Sequence, residues 1–127
     1  MERDYWASIF VSAGVDLAAV ARDYETRGLT GLAVPQVYGP PFVGLAAAAA
    51  VTTDIQLASG IAIGLTRSPF ETAMAALDLD HLSQGRFTLG LGTGPRHFVE
   101  GYFGMPYDKP VSRLREVLQI LRHVEDG

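Results

Sequence analysis

The feature that most constrains the fold is a fourfold alternation of short apolar runs with longer helical patterns. The apolar runs predict β-strands at residues 6–11, 31–34, 55–63 and 87–91. The segments that follow them predict α-helices at residues 15–27, 42–53, 69–82 and 111–124. Because each strand is followed by a helix, the strands are expected to pair in parallel through right-handed crossovers.

Individual residues mark the expected ends of several elements. Gly28 stands where the first helix ends and a left-handed residue is favoured. Ser68 and Pro69 suit the N-cap and the first turn of the third helix. Ser112, or the residue before Val111, is predicted to cap the fourth helix.

Four strand–helix units can close in two ways, as an open doubly wound sheet or as a segment of a (βα)₈ barrel. A complete barrel needs about 250 residues, whereas this chain has 127. We therefore expect an α/β fold of the barrel type with about four βα units, in one domain over residues 1–127. Such a half barrel leaves the first and fourth strands with unpaired edges. We expect it to pair with a second copy, as a homo-oligomer, or with a complementary half-barrel chain.

Composition narrows the function classes. With 48% hydrophobic and 19% charged residues, the chain suits a globular protein with a core. Its net charge of −4 and the lack of a basic stripe argue against nucleic-acid binding. There is no cysteine for disulfides or thiolate metal ligands, and no carboxylate or histidine spacing indicates a metal site. The apolar run at residues 43–51 is too short to span a membrane, and no signal peptide is indicated, so we expect a cytoplasmic protein.

A glycine-rich loop follows the fourth predicted strand, at Gly92, Thr93 and Gly94. In parallel α/β folds ligands bind at the carboxyl ends of the strands, so this loop indicates a ligand site. The dinucleotide-binding fingerprint is a poor match, because Pro95 occupies the place of its third glycine and the loop does not follow the first strand.

Several segments, in this order, resemble the bacterial luciferase-like monooxygenase superfamily. They are TxIxLASGI from Thr53, TRSP from Thr66, LDxxxLSxGRFxLGLGxG from Leu77 and FGMP from Phe103. The resemblance is closest to the branch that uses coenzyme F420. It implies a (βα)₈ barrel, of which this chain resembles the first half, with a flavin or deazaflavin at the carboxyl ends of the strands. In relatives the later strands supply much of the phosphate site.

The resemblance also implies which residues meet the cofactor. Gly60 and Ile61 match a bulge whose non-prolyl cis peptide lies behind the isoalloxazine ring, and the alternative is a glycine at a bend with an ordinary trans bond. Ser59 hydrogen-bonds either the ring edge or the local backbone. The loop of Gly92, Thr93 and Gly94 would bring backbone N–H groups to the cofactor. The cofactor implied is F420, with FMN as the alternative.

The end of the second strand departs from the family pattern. Many F420-using relatives place an acid and a histidine there, where this chain has Gln36 and Val37. Neither side chain transfers protons, so Gln36 is predicted only to bind the cofactor and the catalytic residues stay unassigned. Arg96 and His97 either meet a phosphate or are solvated.

Two functions follow from these observations. The first is a flavin- or deazaflavin-dependent oxidoreductase or monooxygenase that performs redox chemistry on a small organic substrate. The second is a catalytically inactive half-barrel remnant or interaction module. An aromatic-rich segment, Tyr102 to Tyr107, is either a lid over a planar cofactor or an apolar substrate, or a cover for the end of the barrel or for an interface.

Overall fold

The protein is described by a computed structural model over residues 2–10, 16–37 and 39–127. Its strands are β1 (Trp6–Ser8), β2 (Gly31–Val34), β3 (Gln56–Ser59), β4 (Ala62–Ile63), β5 (Phe87–Thr88) and β6 (Leu91–Gly92). Its α-helices are α1 (Leu17–Thr26), α2 (Pro41–Val51), α3 (Pro69–Leu82) and α4 (Pro110–Asp126), and a π-helix covers His97–Tyr102. None of these helices is long and apolar enough to cross a membrane.

The strands form a parallel half barrel. The main sheet has four strands in the order β1-β2-β3-β5, and every neighbouring pair is parallel. A second parallel pair consists of β4, which follows β3 along the chain, and β6, which follows β5. Helices connect the successive strands, so the fold is α/β of the (βα)₈-barrel type with four βα units, which confirms the predicted fold class.

One face of the main sheet packs against the helices. Leu32, Val34 and Leu57 are almost completely buried there. They form one core with residues of α1, α2 and α3, among them Leu17, Ala21, Leu45, Ala48, Ala49 and Leu79. The alanines of α2 have little bulk, so the helix backbone can pack close to the sheet.

Two of the predicted strands are divided. The strand expected at residues 55–63 separates into β3 and β4 around the Gly60–Ile61 peptide bond, which is cis. The strand expected at residues 87–91 separates into β5 and β6, because the backbone of Gly90 packs directly on that of Ser59. A Cβ at residue 90 would overlap the Ser59 carbonyl oxygen. The predicted bounds of both strands were therefore wrong, whereas the irregularity that Gly60 predicts within the third strand is present.

The remaining strand and loop predictions need smaller corrections. β1 ends at Ser8, and the predicted end at residue 11 lies outside the described residues. β2 has the bounds that the sequence predicted. The predicted loop after the fourth strand contains the π-helix at His97–Tyr102.

The helices agree more closely with the sequence. α3 has its predicted bounds, with Ser68 at the N-cap and Pro69 in the first turn. In α1 the N-cap is Asp16, whose carboxylate accepts a hydrogen bond from the Ala19 amide, and the predicted start at residue 15 is outside the described part of the chain. Gly28 after α1 has the expected positive φ, +80°. α4 starts at Pro110 after Lys109, so the predicted capping by Ser112 or Pro110 was wrong.

Candidate functional site

The carboxyl ends of the strands bring the predicted site residues together. The backbone N–H of Gln36 donates to the Ile61 carbonyl oxygen at 2.9 Å. This hydrogen bond joins the end of β2 to the break between β3 and β4. The amide nitrogens of Ala62 and Gly64 donate to the carbonyl oxygens of Gly90 and Gly92, at 2.8 and 2.9 Å. Three successive strand ends therefore form one continuous surface.

The Ser59 hydroxyl is occupied by the backbone next to it. Its Oγ accepts a hydrogen bond from the Gly90 amide and donates to the Gly90 carbonyl, both at 2.9 Å. The side chain is 2% exposed. Of the two alternatives for Ser59, the structure therefore shows the hydrogen bond to the backbone.

The Gln36 side chain is a connector between strand ends. Its Oε1 accepts from the Ile63 amide at 2.8 Å and from Arg67 Nη2 at 3.2 Å. Its Nε2 donates to Thr66 Oγ1 at 3.3 Å. Because Gln36 is buried and both ends of its amide are engaged, it holds the chain on either side of residue 62 in place. Any contact with a ligand stays a prediction.

Arg67 places a positive charge beside Gln36. Its guanidinium carbon lies 5.1 Å from the centre of the Phe42 ring, in a cation–π contact. Its Nη1 is buried and has no hydrogen-bond acceptor among the described residues. Burial lowers the pKa of Arg67 from its ordinary value, although the Glu71 carboxylate favours the charged form. The group remains a cation at any physiological pH.

Ile61 and Gly92 pack against each other at the centre of this end. The Ile61 side chain is 38% exposed. A Cβ at residue 92 would lie 2.7 Å from Ile61 Cδ1, so a side chain there would displace Ile61. Gly94, with a φ of +68°, approaches Ile63 in the same way, since a Cβ at residue 94 would lie 2.9 Å from Ile63 Cδ1. Both glycines are required by close packing rather than by the loop alone.

Tyr107 fixes the glycine-rich loop in place. Its hydroxyl donates to the Gly94 carbonyl oxygen at 2.6 Å and lies 3.3 Å from Thr93 Oγ1. Arg96 stacks over the Tyr107 ring at 5.0 Å and pairs with Glu100 at 2.7 Å. Arg96 is thus engaged within the protein in this structure.

The aromatic-rich segment covers the end of β4. Phe103, Met105 and Tyr107 pack against a buried cluster of Ile63, Leu65 and Val99. Tyr102, in contrast, is 64% exposed. Three side chains of the segment therefore pack against the end of β4, and its role as a lid stays a prediction.

The opposite end of the sheet is built for stability. Arg86 is 8% exposed, and its guanidinium donates five hydrogen bonds. The acceptors are the carbonyl oxygens of Ala49, Thr52, Ile55 and Ser83 and the Thr52 hydroxyl, at 2.7 to 3.2 Å. The side chain thereby joins the ends of α2 and α3 to the start of β3.

Glu25 of α1 binds the backbone of the segment that leads into β3. Its carboxylate accepts hydrogen bonds from the backbone amides of Thr53, Asp54 and Ile55, at 2.8 to 3.2 Å. Burial alone would raise the pKa of Glu25, but these amides and the Arg86 charge outweigh it and lower the pKa below its ordinary value. In the described part of the chain, no group of three or more histidine and acidic side chains could hold a metal ion.

These features define the class of the protein: half of a (βα)₈ barrel with a continuous, glycine-containing surface at the carboxyl ends of its strands. The sequence model of the luciferase-like monooxygenase family matches residues 7–127. The chain belongs to that family, as the resemblance implied.

The chain is similar in sequence or in fold to individual members of known function classes. A Mycobacterium tuberculosis protein, named as a putative coenzyme F420-dependent oxidoreductase, is 34% identical over 125 residues, which are 98% of this chain and 35% of the relative. The FMN-bound oxygenating constituent of 3,6-diketocamphane monooxygenase from Pseudomonas putida has a TM-score of 0.84 at 18% identity, over 95% of this chain and 39% of that one. The coenzyme F420-dependent tetrahydromethanopterin reductase of Methanopyrus kandleri has a TM-score of 0.78 at 23% identity, over 95% and 40%.

The chain thus spans about a third of the length of its curated relative. The two solved structures establish a shared fold.

Sequence reasoning missed two residues at this end. Arg67 lies inside the TRSP segment, but no local pattern shows that its guanidinium reaches Gln36, 31 positions away. The sequence shows Tyr107 only as an aromatic residue, and its hydrogen bond to Gly94 spans 13 positions. Contacts between strand ends cannot be obtained from periodicity, because they depend on the curvature of the sheet.

Proposed function

We propose that the chain supplies one half of the cofactor site of a flavin- or deazaflavin-dependent oxidoreductase or monooxygenase acting on a small organic substrate. We propose coenzyme F420 as the cofactor, with FMN as the alternative. The observation that carries the proposal is the packing of Ile61 on Gly92, next to Gln36, at the carboxyl ends of three strands.

The residues at this end fit a flat ring. Gly60 and Gly92 have no side chains, and Ile61 is partly exposed, so a flat ring would lie against the backbone here and against one aliphatic side chain. The charge of Arg67 favours an anionic group nearby. We propose that Gly60, Ile61, Gly92 and the following Thr93–Gly94 backbone hold the cofactor, with Ser59 and Gln36 behind them.

The names of the relatives support a redox cofactor. The M. tuberculosis relative is named as a putative coenzyme F420-dependent oxidoreductase, and the P. putida structure is a complex with FMN. A bound deazaflavin supplies hydride transfer, and a bound flavin can also react with dioxygen.

The chain's own residues would bind and orient these groups. Gln36 fixes the backbone at Ile61 and Ile63 through two hydrogen bonds, and the cluster around Val99 keeps water from the end of β4. Because the side-chain amide of Gln36 does not titrate, this residue transfers no proton.

Titration of the chain with F420 and with FMN, followed by cofactor fluorescence, tests the proposal. We expect saturable quenching with F420, and at least a tenfold weaker affinity for Ile61→Ser. Leu82→Ser is the matched control, because Leu82 is also an exposed aliphatic residue but lies at the C-terminal end of α3. Its affinity should equal that of the unmodified chain.

Two results would decide against this function. A chain that binds neither cofactor would leave the non-catalytic interaction module as the better description. Equal weakening by the Ile61 and Leu82 variants would show that quenching does not report on the strand ends.

A further inference from the structure

A cleft lies between the start of α3, with the loop before it, and the first half of α4. Both of its walls therefore belong to this chain. None of the described residues that line it belongs to the candidate cofactor surface around Ile61 and Gly92. Its apolar lining residues are Gly64, Leu65, Pro69, Met105, Val117 and Ile120.

The size and the shape of the cleft suit a small molecule. Its volume is about 310 Å³, at the lower end of the range of ligand pockets. At about 30 Å³ for each atom, this volume has room for roughly ten non-hydrogen atoms. Leu65 and Val117 are buried, whereas Ile120 is 44% exposed. The cleft therefore has an apolar base and is open to solvent along α4.

Arg67 brings an incompletely paired guanidinium to this cleft. The residue lines the cleft, and its Nη2 donates to Gln36 Oε1. Its Nη1 is buried and has no acceptor among the described residues. In the same part of the chain no carboxylate forms an ion pair with it. Because a buried donor without an acceptor is destabilising, an oxygen ligand at this guanidinium would be favoured.

Arg113 places a second positive charge in the cleft, on the wall that α4 forms. Its Nη1 donates to the Pro106 carbonyl oxygen and lies 3.7 Å from a carboxylate oxygen of Asp108, whose side chain is 73% exposed. Such an exposed pair compensates the charge only weakly. The lining also contains Glu116, which is exposed. With two arginines and one glutamate, the described lining has an excess of one positive charge.

We propose that this cleft binds a small monocarboxylate with a compact apolar body. The carboxylate would accept hydrogen bonds from Arg67 and face Arg113, and the body would lie against Leu65 and Val117. A dianion such as phosphate fits less well, since Glu116 repels it and the apolar walls would stay uncovered. A neutral apolar molecule would leave Arg67 without its acceptor. The inference goes beyond the proposed function, because it concerns a separate site.

Calorimetric titration of the 127-residue chain with benzoate tests the proposal. Benzoate has the required size, one carboxylate and an apolar ring. We expect saturable binding of one benzoate per chain. Benzamide, which has the same shape without the charge, and inorganic phosphate, which has charge without the apolar body, should each bind at least about tenfold more weakly.

Two exposed aliphatic residues of α4 provide a matched pair of variants. Ile120→Glu places a negative charge on the wall of the cleft, so it should weaken benzoate binding at least about tenfold. Leu118→Glu is the control, since Leu118 is 40% exposed on the same helix and does not line the cleft. Its affinity for benzoate should equal that of the unmodified chain.

A second pair of variants tests the charged end of the ligand. Arg67→Gln should weaken benzoate binding at least about tenfold. Arg115→Gln, an exposed position of α4 outside the lining, should have no effect. Circular dichroism checks the folding of each variant. If Arg67→Gln is unfolded, the comparison of Ile120→Glu with Leu118→Glu decides alone, because both positions are exposed and tolerate a charge.

Several results would overturn the inference. They are no binding of benzoate, equal affinities for benzoate and benzamide or phosphate, and equal weakening by Ile120→Glu and Leu118→Glu. Loss of benzoate binding in Ile61→Ser would also overturn it, since the ligand would then lie at the strand ends. The titration contains no flavin, so failure here is distinguishable from failure to bind the cofactor.

Discussion

At the scale of single residues, the site depends on side chains whose place the sequence indicates and whose contacts only the fold determines. Ser59, Gly60, Ile61 and Gln36 were predicted from motifs, and the strand ends do bring them together. Their hydrogen bonds could not be predicted, because the partners lie far away in sequence: Gly90 is 31 positions from Ser59, and Ile63 is 27 from Gln36. Which polar groups come within hydrogen-bonding distance depends on the curvature of the sheet.

Gly90 is expected to tolerate no side chain. Gly90→Ala would place a Cβ on top of the Ser59 carbonyl oxygen, and backbone would have to move. We expect the free energy of unfolding to fall by about 1–3 kcal/mol, as for overpacked interiors, measured by denaturant titration. Gly101→Ala is the control, since a Cβ there meets nothing within 4 Å, and it should not lower stability. Equal stability of the two variants would contradict the packing argument.

Gln36 is expected to act through its carbonyl oxygen. Gln36→Leu would leave the buried Ile63 amide without its acceptor, at a cost of about 1–3 kcal/mol in the free energy of unfolding. Gln36→Glu retains an acceptor for Ile63 and for Arg67, so it should recover most of that loss. The measurement is again a denaturant midpoint, and a glutamate variant no more stable than the leucine variant would disprove this role.

At the level of helices and strands, elements with clear end signals were predicted with correct bounds. The points where a strand changes its pairing partner were not predicted. α3 and β2 have their predicted bounds because strong signals delimit them, such as Pro69 at the helix start. β3 and β4 form one apolar run in sequence, yet β3 pairs within the main sheet and β4 pairs with β6. Hydrophobicity does not change where the pairing partner changes, and Gly60 was the only local sign of the break.

Arg86 connects three parts of the fold, and the connection needs a planar guanidinium group with several N–H donors. Lysine has a single ammonium group and cannot reach all of the acceptors of Arg86, which lie in α2, directly before β3 and directly after α3. Because each buried carbonyl left unpaired costs about 1–3 kcal/mol, we expect Arg86→Lys to lower the free energy of unfolding by at least about 2 kcal/mol. Arg122→Lys, on an exposed position of α4, is the control and should have little effect.

Glu25 connects α1 to β3 and makes the stability depend on pH. Since its pKa is lowered in the folded state, its contribution is present above its ordinary pKa of 4.5 and disappears as the pH falls through the lower folded value. Glu25→Gln should therefore be less stable than the unmodified chain at pH 7, and the difference should shrink in acid. Unfolding titrations across this pH range measure it, with Asp78→Asn on the exposed side of α3 as the control. A difference that is constant with pH would contradict the role of the carboxylate.

At the scale of the whole molecule, the two ends of the half barrel have separate tasks. Arg86 and Glu25 hold the start of β3 at one end, while Ile61 and Gly92 form the candidate cofactor surface at the other. This division is general in (βα)₈ barrels, where the carboxyl ends of the strands carry function and the opposite end carries stability.

The same asymmetry predicts how the sheet opens in solution. β2 and β3 are paired on both sides, whereas β1 and β5 are the described edges of the main sheet. In native-state hydrogen exchange, we expect the amides of Leu32 and Leu57 to be the slowest to exchange and those of β1 to be much faster, because edge strands open locally at low free energy. If β1 is as protected as β2 in the isolated chain, its edge is already paired, and a self-associated form must then be the state of the protein in solution.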